Sequence, residues 1–395
     1  MIRGIKNKKR KPVSPSIRTA SFYGFLSAPD YIKDFIVTKK DCLKARGVQT
    51  HKSHSHIEEK IALTRMFIEK KMTALPQPIM IFYKSPMKYE DKIHTSEHAT
   101  PAFSLDIIGN SKSIADAMMI ETTYVIAKEE YGETDVAVEI NTLGDKESLT
   151  RLKRELGAFY RKNWSKVPTI LKPLYKKDIF ESFRTKDKKA VSLRENGPSP
   201  IGCLSEQSAK HFKEVLEYIE SLAIPYSINQ HLIGDISYGG ELVFEVKSQD
   251  KKTKIKKIVA EGQRYNGVAR GFFGKKEISS IGASIHLKND SFECKKNENE
   301  GKHNLFFIQL GFEAKLKSLK VLEMLRKAKL NTYQSLSKDK MTAQIGMAEK
   351  MNIPYVIIMG KKEAMENSVL VRNSNTRCQD TVPLDELVSY IKKLK

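Results

Sequence analysis

The chain has 395 residues, enough for two or three domains each with its own core. Its 69 Lys and Arg against 47 Asp and Glu leave a net charge of +22, with 40% of residues hydrophobic. No apolar run reaches the ~20 residues a membrane span needs, and Cys42, Cys203, Cys294 and Cys378 lie far apart with no C-x-x-C pair. That spacing argues against zinc and a disulfide framework, and suits a reducing cytoplasm.

Seven positive charges (Arg3, Lys6, Lys8, Lys9, Arg10, Lys11, Arg18) and no acid fall in the first twenty residues. No apolar core follows them, so residues 1–18 read as a basic disordered arm and not as a secretory signal. The body keeps the other fifteen charges. An excess of that size favours a polyanionic partner, nucleic acid being the commonest, with a Lys-rich solvated surface as the plain alternative. Lys8, Lys9, Arg10 and Lys11 are the arm's candidate nucleic-acid contacts.

Residues 21–50 carry no clear pattern. His56–Met72 has the spacing of an amphipathic helix. His51, His54 and His56 lack a carboxylate or cysteine at ligand spacing and read as a polar loop; no metal site is predicted. Pro78–Tyr83 is a short apolar strand, Ala102–Ile108 its antiparallel return, and Asp91–Thr100 the polar loop between. Helix Ile114–Tyr131, strand Thr134–Asn141 and basic helix Lys146–Trp164 follow. Ser165–Ser205 is broken by Lys and Pro, and Ser205–Leu222 is a helix with one apolar face. Ser237–Val246 and Lys256–Glu261 read as a ribbon around the solvated turn SQDKKTK. It ends in Gly262-Gln263-Arg264-Tyr265-Asn266-Gly267, which brings a basic and an aromatic side chain to a sheet end, a place that suits a small ligand. GVARGFFGK at 267–275 has the wrong spacing for a phosphate loop. After strand Ile278–Leu287, the polar stretch 288–304 is a linker. Beyond it, strands Leu305–Leu310, Thr332–Leu336 and Tyr355–Met359 alternate with helices Glu313–Lys329 and Lys338–Met351. The pair Val369–Arg372 and Gln379–Val382 and a last helix close a mostly parallel α/β layer.

The ribbon resembles the two histidine-specific signatures of class II histidyl-tRNA synthetases, R-G-L-D-Y-Y-T-G-T-V-F-E and A-G-G-R-Y-D-G. The likeness keeps Tyr238, Val243, Phe244, Glu245, Gly262, Arg264, Tyr265 and Gly267, and places Gly234 at the signature arginine. Lys88 to Gly109 is similar to motif 2, F-R-x-E with a loop and a return strand, and Glu139–Asp145 resembles the family's I-N-S-L-G-D turn. Residues 305–395, with IPYVIIMG and TVPLDELVSYIKKL, resemble the anticodon-binding domain shared with glycyl-, threonyl- and prolyl-tRNA synthetases.

The resemblance implies an α+β / α/β architecture: a class II antiparallel sheet core with helices over 19–287, carrying a helical insertion at about 146–205. A linker over 288–304 then leads to an anticodon-binding-type domain with a mixed five-stranded sheet over 305–395. It also implies a dimer-building helix and strand closed by proline. None is recognisable in 21–50, so a homodimer is without its element. In the family, arginines neutralise the ATP phosphates with Mg²⁺. Here the motif 2 arginine is Lys88, the signature arginine is Gly234 and the motif 3 arginine is Asn289. Lys88 offers a point charge without the bidentate fork, as the one candidate catalytic group. Glu58, Glu90, Asp106, Tyr238, Arg264 and Tyr265 are the groups the resemblance places around a histidine-like ligand. Lys340 and Gln344 are its candidate base-reading face.

The sequence is therefore expected to encode a synthetase-like protein that binds tRNA or other RNA, with histidine activation weakened or lost. ATP and Mg²⁺ would be cofactors only of an active enzyme. An active histidine–tRNA ligase is the alternative. A synthetase-derived regulatory subunit is the third, against which the anticodon-type domain speaks.

Overall fold

The computed structural model describes residues 14–28, 35–46, 57–85, 102–132, 134–236, 241–288 and 303–394. The first of its two sheets has eight strands: β1 (Leu26–Ser27), β2 (Ile79–Ser85), β3 (Ala102–Ile108), β4 (Asp135–Asn141), β5 (Tyr226–Ile228), β6 (Val243–Gln249), β7 (Lys256–Arg264) and β8 (Ser280–Ile285). Their order is β1-β2-β3-β8-β7-β6-β4-β5. The two edge strands pair in parallel and every other pairing is antiparallel.

Alternation along these strands decides what lies on each face. On β3, Phe103, Leu105 and Ile107 join the main apolar cluster, under the helices Ser113–Glu130 and Glu206–Ser221. Ser104, Asp106 and Ile108 turn the other way, toward the helix Ile57–Glu69 and its Leu63, Met66 and Phe67. The helices start where their sequences cap them. Asp145 Oδ1 accepts from the Ser148 N–H at 2.9 Å and so opens Lys146–Lys162, and the Ser205 hydroxyl does the same for Glu206–Ser221.

The second sheet has five strands, β9 (Leu305–Gln309), β10 (Thr332–Gln334), β11 (Tyr355–Met359), β12 (Ser368–Asn373) and β13 (Gln379–Pro383), in the order β10-β9-β11-β12-β13. The first three run parallel and the last two antiparallel, giving the mixed layer expected of 305–395. The helix Phe312–Lys327 packs this unit on the first. Leu316, Leu319 and Leu322 share one apolar cluster with Val215, Tyr218 and Ile219. Asn110 Nδ2 donates to the Leu336 carbonyl, and the Ser337 hydroxyl to that of Gln77.

Three expectations change. Residues 15–18, read as part of the disordered arm, open the helix Pro15–Phe22, with Ser16 and Ile17 buried; it leads to β1 at the sheet edge, parallel to β2, and residues 21–50 also hold the helix Lys39–Arg46. A two-turn helix and a two-residue strand are too short for periodicity to register. The β6 strand begins at Val243 and runs on to Gln249, and β7 continues to Arg264, so the pairing reaches into the stretch read as a loop. The strand Pro86–Glu90 and most of the linker, 289–302, lie outside the described residues. Among the described residues no helix is long and apolar enough to cross a membrane.

Candidate functional site

Four neighbouring strands and one helix build a polar cluster inside the large sheet. Alternation places Tyr83 and Ser85 of β2, Ser104 and Asp106 of β3, and Gly282 and Ser284 of β8 on one face, with Asp106 paired to Gly282 in register. The helix Ile57–Glu69 lays Glu59 and Lys60 over that face, both buried. Two networks result. Ser85 donates to Glu59 Oε2 at 2.7 Å, and hydroxyl contacts run on from Ser85 to Ser104 and Ser284. Beside it, Lys60 Nζ donates to both Asp106 oxygens at 2.8 Å and lies 3.2 Å from the Tyr83 hydroxyl. The Tyr83 and Tyr265 hydroxyls each donate to Asp106, at 2.8 and 2.7 Å.

Asp106 is fully buried, and three donor groups making four hydrogen bonds to its two oxygens make its charge tolerable there. Burial and the adjoining carboxylate push both phenols well above the usual tyrosine range, so they remain protonated donors. Gly282 permits the arrangement. A Cβ on it would fall 2.2 Å from Asp106 Oδ1 and 2.6 Å from Lys60 Nζ.

The predicted ligand set is only partly brought together. Asp106 and Tyr265 meet, but Arg264 does not join them. As the last residue of β7 it points to the opposite face from Tyr265. There its guanidinium grips Asp116 at 2.7 and 2.8 Å and donates to the Asn110 carbonyl, with 1% of its surface exposed. Burial would raise the Asp116 carboxyl, yet Arg264 and His211 outweigh it and hold the group below its usual range. Glu58 is half-buried, while its neighbours Glu59 and Lys60 turn inward. Lys88, Glu90, Tyr238, Asn289 and the arm residues Lys8, Lys9, Arg10 and Lys11 lie outside the described residues. Gly234 carries no side chain at the position of the family's arginine, and a Cβ there would meet Gln263 Oε1 at 2.3 Å unless that side chain moved.

Lys340 is exposed at the start of the helix Met341–Lys350. Gln344 corrects the reading of that helix. It is 1% exposed and its amide bonds the main chain of Gln309, accepting from N–H and donating to C=O, so it offers no edge to a base. Among the described residues no group of three or more His, Cys, Asp or Glu converges as a metal site would need.

Sequence reasoning missed Glu59, Lys60, Tyr83 and the serines. Their signal was the polar alternation in Ala102–Ile108, AFSLDII, inside strands otherwise buried on both faces. It also missed a basic groove in the insertion. Lys153, Tyr160, Arg161, Trp164, Lys176 and Lys177 line a surface cavity of about 620 Å³, with Lys172 and Lys176 stacked over Trp164 at 5.7 and 6.0 Å. Ile170 and Leu174 stand exposed on the same short helical segment.

Comparison with known proteins bears on most of the chain. The family model described as "Anticodon binding domain" matches residues 305–394. The histidine–tRNA ligase of Fervidobacterium nodosum is 28% identical over 338 residues, covering 84% of this chain and 79% of its own length. That of Bacillus licheniformis is 25% identical over 335 residues, covering 83% and 78%. Among solved structures, histidyl-tRNA synthetase from S. aureus without ligand aligns at a TM-score of 0.44 and 22% identity, covering 83% of this chain and 81% of that one.

Proposed function

The chain belongs to the histidyl-tRNA synthetase family, and we propose that it acts there as an RNA-binding member whose ATP-dependent histidine activation is weakened or lost. The observation that carries this reading is the fate of Arg264. It is the arginine the histidine signatures retain, and it is locked on the far face of the sheet by Asp116 and the Asn110 carbonyl. A guanidinium buried in that pair is not available to a carboxylate or phosphate on the Tyr265 face.

ATP and Mg²⁺ belong to the chemistry of active relatives, which needs positive forks around a transferring phosphate. The described residues do not fit that demand: Gly234 has no side chain where a fork is needed, and Arg264 faces away. No activation step is derived through those groups.

RNA binding has separate support. The anticodon-binding match spans the second sheet. Residues 165–205 carry nine Lys and Arg against four acids, and the Trp164 groove pairs an aromatic face with ammonium groups, a combination that suits stacked bases beside phosphates. ATP–pyrophosphate exchange with histidine tests the catalytic half. Turnover no higher than without histidine is expected, and robust exchange would sink it. Titration with bulk tRNA tests the other half. Affinity should fall with a log–log salt slope of about −3 or steeper, and negligible binding at low salt would remove RNA from the reading.

A further inference from the structure

The polar face beneath the helix Ile57–Glu69 holds a cation, and the cation is the protein's own. We infer that Asp106, Tyr83 and Tyr265 form a primary-ammonium site whose resident ligand is the Lys60 side chain, a tethered occupant that any free ammonium compound must displace. The inference rests on the functional reading above, for which this face is the amino-acid side of a synthetase scaffold, and it names what fills it.

Lys60 Nζ has the surroundings that free ammonium ligands take. It bonds both oxygens of one carboxylate at 2.8 Å and lies 3.2 Å from a phenolic hydroxyl. It also lies 5.7 and 5.4 Å from the ring centroids of Tyr83 and Tyr265. The phenols spend their own protons on Asp106, which fixes the carboxylate so that its remaining lone pairs meet the ammonium head. Gly282 adds the space, since a methyl there would overlap both charged groups. An amine carried on the adjacent helix also holds an effective concentration that a free amine rarely reaches, so the wild-type site stays closed to outside ligands.

The test removes the tether and supplies the head group. Lys60→Ala deletes the atoms of n-propylammonium, so the probe is n-propylammonium chloride, with 1-propanol as its uncharged match. Propylammonium should raise the unfolding midpoint of full-length Lys60→Ala by ~3 °C or more, while propanol should not. Wild type should respond to neither. An equal response of wild type and variant, an equal response to the two probes, or no response of the variant overturns the proposal. Should Lys60→Ala not fold unaided, the same probes are added during refolding. Native chain recovered with propylammonium alone supports the site; recovery with both or with neither overturns it. Histidine exchange by the wild type would end the catalytic reading yet leave the propylammonium result to stand or fall by itself.

Discussion

The two sheets bury different things at their centres. In the five-stranded sheet the middle strands β9 and β11 bury Leu305, Phe306, Phe307 and Ile308 against Val356, Ile357, Ile358 and Met359. A sheet covered by helices on both faces is ordinarily apolar on both. In the eight-stranded sheet, β3 and β8 are covered as completely, yet Ser104, Asp106 and Ser284 alternate with Phe103, Leu105 and Ala283. A buried carboxylate contributes less to stability than an apolar side chain of its size, so its presence marks a face shaped by something besides packing. Here Lys60, Glu59 and two phenols satisfy that face from within the chain. The central strands of the second unit are apolar on both faces as far as Gln309; the first unit is a packed layer around a self-satisfied polar seam.

The largest blow to this contrast should come from the seam's far side. Arg264→Ala leaves Asp116 buried with the His211 ring as its remaining side-chain partner, and should lower stability by about 3–5 kcal/mol. The apolar cluster spans both sheets, so a single urea transition, followed by circular dichroism, is expected to shift as a whole. A loss below about 1 kcal/mol would deny Arg264 its anchoring role and return it to the list of ligand contacts. Next comes Gly282→Ala, which forces a methyl between Asp106 and Lys60. Overpacking of this kind should cost about 1–3 kcal/mol, and an unchanged midpoint would mean the seam is looser than its distances imply.

Much of the architecture could be read from the chain because it rests on periodicity. The alternation of strands and helices beyond residue 304 and the apolar strands Pro78–Tyr83 and Ala102–Ile108 all found their places within a few residues. The site was legible only as residue types. Asp106 and Tyr265 meet, but Arg264, the residue next to Tyr265, goes to the other face. A strand's end decides that split, and β7 runs three residues past the expected Glu261. Lys60 and Gln344 failed to register for a different reason. A lysine near the start of an amphipathic helix reads as solvated, and a glutamine on a surface helix reads as available. Only tertiary partners, Asp106 for one and the Gln309 main chain for the other, turn them inward.

The proposed RNA-facing surface offers a cleaner separation, because its cations are exposed and carry little of the fold. Lys176 and Lys177 stand at the rim of the Trp164 groove. The double variant Lys176→Glu, Lys177→Glu should bind bulk tRNA about tenfold more weakly at low salt, with a salt slope flatter by about 1–2. Its unfolding midpoint should stay where the wild type has it. Unchanged affinity would move the RNA contact off the insertion and onto the second unit or the arm.

The smallest effect probes the joint between the two units, where Tyr23 stands between two acids. Its hydroxyl lies 2.8 Å from Glu323 and 3.1 Å from Glu121, yet it carries a single proton. Glu323 is held below its usual range: burial would raise it, but Arg326 bonds it at 2.6 Å and prevails. Glu121 is raised well above its usual range, first by burial and then by Glu323, and its second oxygen has no hydrogen-bond partner among the described residues. The arrangement closes if Tyr23 donates to Glu323 while Glu121 keeps a proton and donates to the Tyr23 oxygen. A carboxyl whose folded pKa is raised binds its proton more tightly in the native state, so its contribution is full below the ordinary glutamate range and is lost as pH climbs toward the raised value. Glu121→Gln supplies a permanent donor of the same shape. Near neutral pH it should gain roughly 1 kcal/mol over wild type, and below about pH 4 the two should coincide. A gain of equal size at both pH values would place the benefit in packing, and a loss at neutral pH would show that Glu121 is ionised in the joint.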